Sequence, residues 1–201
     1  MPTKKKDWKG DSESVYHIMG ASNHCKDDRE THDYYATDPK AVELLLAEES
    51  FDHTIWEPAC GEGHISKVLE EHGYKVISTD LIDRGYGKVW DFLEDGIVLP
   101  DFDGDIITNP PYNRALSFAQ KALEYLQPGK KLAMFLKLTF LEGKARKPFF
   151  KENPPRIVYV SSSRLLCAKN GKFEGQGSAV CYAWFIWEKG FSGDPIIKWI
   201  N

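Results

Sequence analysis

Asn109-Pro110-Pro111-Tyr112 constrains this chain more than any other stretch. In front of it, Gly104-Asp105-Ile106-Ile107-Thr108 is a β-branched run that reads as a short buried strand ending at Asn109. Two successive prolines cannot extend a strand ladder, because neither carries a donor, so the backbone must leave the sheet here. Their rings also fix φ, which makes the turn stiff. An amide side chain, two rigid carbonyls and an aromatic ring are thereby presented at the carboxyl end of a strand, where open α/β sheets bind ligands. The plainer alternative is a Pro-rich turn in which Asn109 caps a helix beginning near Arg114.

On both sides of that turn, short apolar runs alternate with helical patterns. A helix is expected over residues 41–47, with Thr37 or Asp38 as its cap and Pro39 in its first turn. A strand at 54–57 runs into the turn Pro58-Ala59-Cys60-Gly61-Glu62-Gly63, and a helix over 67–72 follows. Strands are expected at 75–79 and before Asp91, then a helix over 115–126 closed by Pro128-Gly129, and a strand over 131–138. Residues 144–153 read as a short basic helix stopped by Pro154-Pro155, and 156–160 and 181–187 as the last two strands. Residues 191–201 read as a short tail, and 161–180 as a connection without helical pattern, longer than loops usually are. This order predicts an α/β fold: a doubly wound, mostly parallel seven-stranded sheet with helices on both faces and an antiparallel last strand. Residues 1–32 are polar and aperiodic and read as a partly flexible arm, leaving 33–201 as one domain.

Charge narrows the partners. The net charge is −4, but residues 130–172 hold eleven Lys/Arg against Glu142 and Glu152. A segment of +9 on a remainder of −13 is the asymmetry of a polyanion-facing surface, although a solvated face would also produce it. The four cysteines form no CxxC pair and no zinc spacing, so reduced thiols in a cytoplasmic protein without a metal are expected. No apolar stretch approaches membrane-spanning length, and the lysine-rich start lacks the apolar region of a secretion signal.

Strand, glycine turn and helix at 54–72 form the arrangement that lets backbone approach a nucleotide-like ligand closely. Only two glycines are present, so the GxGxxG fingerprint is incomplete, and no Gly-Lys-Ser/Thr follows to make a P-loop. Asp80 lies 19 residues after Gly61 at the tip of the next strand, placed to accept hydrogen bonds from ribose hydroxyls. Asp91 and Phe92 follow the third strand, where a carboxylate can bond an adenine amino group and a ring can pack on the base.

With Glu57-Pro58-Ala59-Cys60-Gly61-Glu62-Gly63 ahead of Asn109-Pro110-Pro111-Tyr112, the chain resembles the class I S-adenosylmethionine-dependent methyltransferases that act on exocyclic amino groups. It most resembles the small DNA N6-adenine methyltransferases of phages and prophages. The likeness runs from Tyr34 to Gly190. It implies a Rossmann-like domain without a separate target-recognition domain, S-adenosylmethionine as cofactor and DNA as partner. It also implies that Glu57, Pro58, Ala59, Gly61 and Gly63 hold the methionine portion, with Thr37 and the nearby Tyr34 and Tyr35 at its carboxylate. Asp80 with Leu81 would take the ribose, and Asp91 with Phe92 the adenine. Asn109 and the Pro110 carbonyl would accept the two N–H bonds of the target amino group beside Pro111, and Tyr112 would stack on a base flipped out of the duplex. Lys144, Arg146, Lys169 and Lys172 are candidate phosphate contacts, and Phe173 a second face for the base. RNA-adenine and protein-glutamine methyltransferases share the Asn-Pro-Pro-aromatic site, and a degenerate cofactor- or DNA-binding module is an alternative of another class.

Overall fold

The computed structural model describes residues 34–94, 99, 102–163, 165, 167–169 and 180–201; the expected arm over 1–32 lies outside them. Within them the chain runs β1 (Tyr35–Thr37), α1 (Pro39–Glu48), β2 (Thr54–Glu57), α2 (His64–Glu71), β3 (Lys75–Asp80), β4 (Lys88–Val89) and β5 (Asp105–Thr108). A single 3-10 turn, Tyr112–Arg114, leads into α3 (Ala115–Tyr125) and β6 (Lys131–Lys137). A second, Leu138–Leu141, precedes α4 (Lys147–Glu152), β7 (Ile157–Ser161), β8 (Cys167–Lys169), β9 (Tyr182–Glu188) and β10 (Ile196–Ile200).

Eight strands form one sheet in the order β10-β7-β9-β6-β5-β2-β3-β4. From β6 to β4 all neighbours are parallel, β9 is antiparallel to both β6 and β7, and β10 is parallel to β7. The doubly wound, mostly parallel sheet is as the alternation predicts. Two particulars differ from it: among the described residues the sheet has eight strands instead of seven, and its antiparallel strand is the last but one. The added strand is β10, inside the segment read as a tail. Its sequence is apolar but short and follows a Gly/Pro-containing stretch, four of its five residues are exposed, and its pairing with β7 is what makes it a strand.

The strand period of two splits the core into two layers. Ile55, Ile107, Ala133, Phe135 and Trp184 face α1 and α2, whereas Trp56, Ile106, Leu132, Met134 and Phe185 face α3. Trp56 centres the second layer, with Phe92, Tyr125 and Phe102 edge-on at 5.0, 5.2 and 5.6 Å and its indole N–H on Thr79 Oγ1 at 2.9 Å. At the amino end of the sheet, buried Glu49 accepts from Arg156, Tyr159 and Lys131. Burial raises the pKa of that carboxyl, but these three partners outweigh it and hold the group below the usual carboxylate range.

Sequence order reverses between β2 and β5, which are neighbours although β3 and β4 intervene in the chain. The carboxyl ends of these two strands therefore flank the switch-point crevice, and they carry Glu57 and the Asn109 turn.

Candidate active site

A cleft of about 200 Å³ opens at the switch point. Its wall includes Tyr35, Thr37, Glu57, Pro58, Ala59, Asp80, Leu81, Asp91, Phe92, Asn109, Pro110, Pro111 and Tyr112, all of which the sequence had nominated. Tyr34, the other tyrosine of the N-terminal segment, lines it as expected, and His64, Arg84, Trp90 and Arg114 line it without any mark in the sequence. Arg84 is recognisable only in space: its guanidinium lies 4.1 Å from the Tyr34 ring centre, and its buried Nε has no hydrogen-bond partner among the described residues.

The glycine turn is built differently from the expectation. Gly61 and Gly63 carry φ of 54° and 79°, and neither lines the cleft. A Cβ on Gly61 would meet the Tyr34 ring at 2.4 Å, and one on Gly63 the Tyr86 ring at the same distance. The missing side chains thus make room for two tyrosines of the protein itself. Tyr34 also accepts the Glu62 N–H at 3.3 Å, so this residue, next to β1, is strapped across the turn. Gly61→Ala should cost about 1–3 kcal/mol through its positive φ and the displaced ring, read as a lower unfolding midpoint. Wild-type stability in that variant would mean that Tyr34 is not held on the turn.

Asp80 ends β3 and spends both oxygens locally: Oδ2 accepts Gly61 N–H at 2.8 Å and Oδ1 accepts Ile82 N–H at 2.9 Å. It braces the turn against the neighbouring strand while still facing the cleft. Asp91 Oδ1 likewise accepts Leu93 N–H at 2.9 Å. Phe92 is buried, with its ring 5.0 Å from Trp56 and from Phe118, so it belongs to the core as well as to the cleft wall.

Glu57 is 2% exposed and accepts from Ser66 N–H at 2.8 Å and from the Ser66 hydroxyl, which also meets Ser78 Oγ at 2.7 Å. Burial pushes its pKa up to about 8, so the carboxyl is mostly neutral at pH 7. Burial, then the Glu57 and Asp80 charges, push the Cys60 thiol up to about 12; it is an inert packing group against Tyr86. Burial also lowers the His64 pKa.

Asn109 is not a helix cap. Pro111 stands at the cap of the 3-10 turn without a side-chain bond, and the Asn109 amide nitrogen instead donates to Tyr35 O at 3.0 Å and to Thr37 Oγ1 at 2.9 Å. Of the two proposed caps of α1, Asp38 takes that role, accepting Lys40 N–H at 2.9 Å, and Thr37 is buried against Asn109. The Tyr112 ring stacks on Tyr35 at 5.7 Å and meets Tyr182 at 6.0 Å, with the Lys137 ammonium 4.7 Å from its centre.

The nominated phosphate contacts divide. Lys144 is exposed and outside the cleft, as are Lys147 and Lys151. Arg146 is placed otherwise than expected: its guanidinium donates to the carbonyls of Phe140, Thr139 and Glu142, so it closes the preceding 3-10 turn. Lys169 sits in β8, opposite Tyr35 in an antiparallel pairing that also joins Ala36 to Ala168 and Thr37 to Cys167. Lys172 and Phe173 lie outside the described residues, as does Arg164. Among the described residues no cluster of three His, Cys, Asp or Glu is placed to hold a metal ion, and no helix is long and apolar enough to cross a membrane.

No family model and no curated protein sequence matches the chain. Solved structures do. A chain from Vibrio vulnificus, provisionally described as the modification subunit of a type I restriction enzyme, superposes with a TM-score of 0.62 at 12% identity over 93% of this chain. This chain spans 50% of that subunit's length. A provisionally assigned class I S-adenosylmethionine-dependent methyltransferase from Listeria monocytogenes gives 0.55 at 13% identity, covering 93% of this chain and 71% of its own. A provisionally assigned RNA methyltransferase from Pyrococcus horikoshii gives 0.54 at 16% identity, covering 89% and 98%. The fold is that of the class I S-adenosylmethionine-dependent methyltransferases.

Proposed function

We propose that the protein is an S-adenosylmethionine-dependent methyltransferase that methylates the exocyclic N6 amino group of adenine in DNA. The observation that carries this reading is the convergence of the Asn109-Pro110-Pro111-Tyr112 turn, Asp80, Asp91 and Glu57 on one cleft at the switch point. The cleft suits an adenosine bearing an amino-acid arm. Carboxylates at the tip of β3 and after β4 can accept from hydroxyls and an amino group, and Leu81 and Phe92 supply apolar walls. Tyr35, Glu57, Pro58 and Ala59, the last two at the start of the turn that ends in Gly63, would hold the arm. When bound, the cofactor supplies an electrophilic methyl group.

The protein's own part is to prepare the nucleophile. An adenine amino nitrogen is unreactive because its lone pair is delocalised into the ring. Asn109 Oδ1 and the Pro110 carbonyl can accept its two hydrogens, favouring a pyramidal nitrogen whose lone pair is available. Tyr112 can stack on the base once the flexible Lys137 stem moves off the ring. Positioning and electrostatics supply the rate in such a site.

DNA is favoured by the positive segment 130–172 and by the likeness to a restriction-modification subunit. RNA is the second reading, since the Pyrococcus horikoshii structure is assigned to RNA methylation. Incubation with methyl-labelled cofactor and separate DNA, RNA and protein substrates, followed by nucleoside and amino-acid analysis, decides between them. Label in N6-methyldeoxyadenosine is the expected result. Label in RNA or glutamine replaces the substrate, and cofactor binding without transfer leaves a binding module. If Lys144, Lys147 and Lys151 track a phosphate backbone, replacing all three by Ala should reduce the salt dependence of DNA affinity by a log–log slope of up to about 3. An unchanged slope would make that face merely solvated.

A further inference from the structure

An asparagine amide has two ends of nearly equal size and opposite hydrogen-bonding character, and a half-turn about its last bond exchanges them. Presented with Oδ1 forward, it accepts an N–H from substrate. Presented with Nδ2 forward, it donates to a ring nitrogen or a carbonyl instead. The direction of the Asn109 amide therefore decides which atoms of a base it can recognise.

Two groups of β1 hold that direction, Tyr35 O at 3.0 Å and Thr37 Oγ1 at 2.9 Å from Nδ2. They are not equivalent. The Thr37 hydroxyl can donate or accept, so it tolerates either end of the amide. The Tyr35 carbonyl can only accept, and a reversed amide would set two oxygens against each other. Tyr35 O thus selects the end, and Thr37, 2% exposed, anchors it. The three-residue strand that carries both groups is itself held by its pairing to β8 and by the Tyr35–Tyr112 stack.

We propose that Thr37 and the Tyr35 carbonyl are positioning groups that lock the Asn109 amide with its acceptor toward substrate, making the site selective for an N–H-bearing amino group. This rests on the amino-methyltransferase reading above. Thr37 then acts through Asn109, which separates it from a cofactor contact.

The variants Thr37→Val, Thr37→Ser and Asn109→Asp test the inference in the full chain. Thr37→Val keeps the shape and loses the acceptor; kcat should fall tenfold or more, with substrate KM and the affinity for S-adenosylhomocysteine within twofold of wild type. Thr37→Ser should return to within threefold. Asn109→Asp retains acceptors for substrate but offers only oxygen to Tyr35 O, so it should lose at least a hundredfold; if an acceptor were all that mattered, it would work. Wild-type turnover in Thr37→Val or Asn109→Asp overturns the inference. So does an equal loss of turnover and cofactor affinity in Thr37→Val, which would make Thr37 a cofactor contact. The Asn109 side-chain N–H₂ resonances give a readout independent of activity. They should be protected in wild type and shifted in Thr37→Val. Protons exchanging like those of a free amide would overturn the inference. Protected protons in an enzyme that methylates none of the three substrate classes would leave the contact standing and count against the proposed function alone.

Discussion

Replacing Asn109 by Ala is expected to lower methyl transfer by on the order of 10²–10³-fold, the usual cost of one preorganised hydrogen-bonding group at a reacting centre. Affinity for S-adenosylhomocysteine should change little, because the acceptor acts on the target nitrogen. The structure adds a consequence that a helix-cap role would not produce. Tyr35 O and Thr37 Oγ1 both lose their amide partner, so the variant should open β1 locally without moving the 3-10 turn. Amide exchange at residues 35–37 should quicken while residues 112–114 keep their protection. Equal losses of turnover and cofactor affinity would assign Asn109 a structural role instead.

The second large effect is on stability, and it runs against the usual behaviour of a carboxylate. Glu57 has an ordinary pKa of 4.5 when exposed and about 8 in the folded protein, where burial disfavours its charge. Between those values the native state holds a proton that the unfolded chain has released. Stability must therefore fall as pH rises through that window, by up to about 1.4 kcal/mol per unit for this one group. The contribution is complete below about 4.5 and no longer changes above about 8. Glu57→Gln, whose carbonyl can still accept from Ser66, should remove this slope, so the stability of the variant relative to wild type should rise with pH up to about 8. Urea unfolding of both proteins at pH 5.5, 6.5 and 7.5 measures it, since His64 and the other titrating groups cancel in the difference. A difference independent of pH would mean that Glu57 is already ionised in the fold. Because Glu57 lines the cleft, a cationic group bound beside it lowers its pKa, and affinity for such a ligand should rise with pH up to about 8.

Much of this molecule is legible along the chain. Pro110 and Pro111 can only end a strand, and Pro39 and Asp38 can only start a helix. The β-branched and aromatic runs flanked by Gly and Pro fall where β2, β3, β5, β6, β7 and β9 stand. These are local consequences of a missing donor, a fixed φ and side chains that alternate between two faces, so neighbours in sequence carry them. The cleft was legible too, because a doubly wound sheet brings the carboxyl ends of its central strands together whatever the loops contain.

What depends on contacts between distant segments was not. Gly61 and Gly63 read as a ligand cradle until Tyr34 and Tyr86 are seen lying against them, 27 and 23 residues away in the chain. Arg146 reads as a phosphate contact because charge is visible in a sequence, and the three carbonyls that absorb it are not. β8 is only three residues long and β10, though apolar in sequence, is almost wholly exposed; each is a strand through its backbone partner, β1 or β7. The direction of the Asn109 amide belongs to this group as well. Its chemistry is written at position 109, but the carbonyl that selects its acceptor end arrives from residue 35, and only the closed fold sets the two 3.0 Å apart.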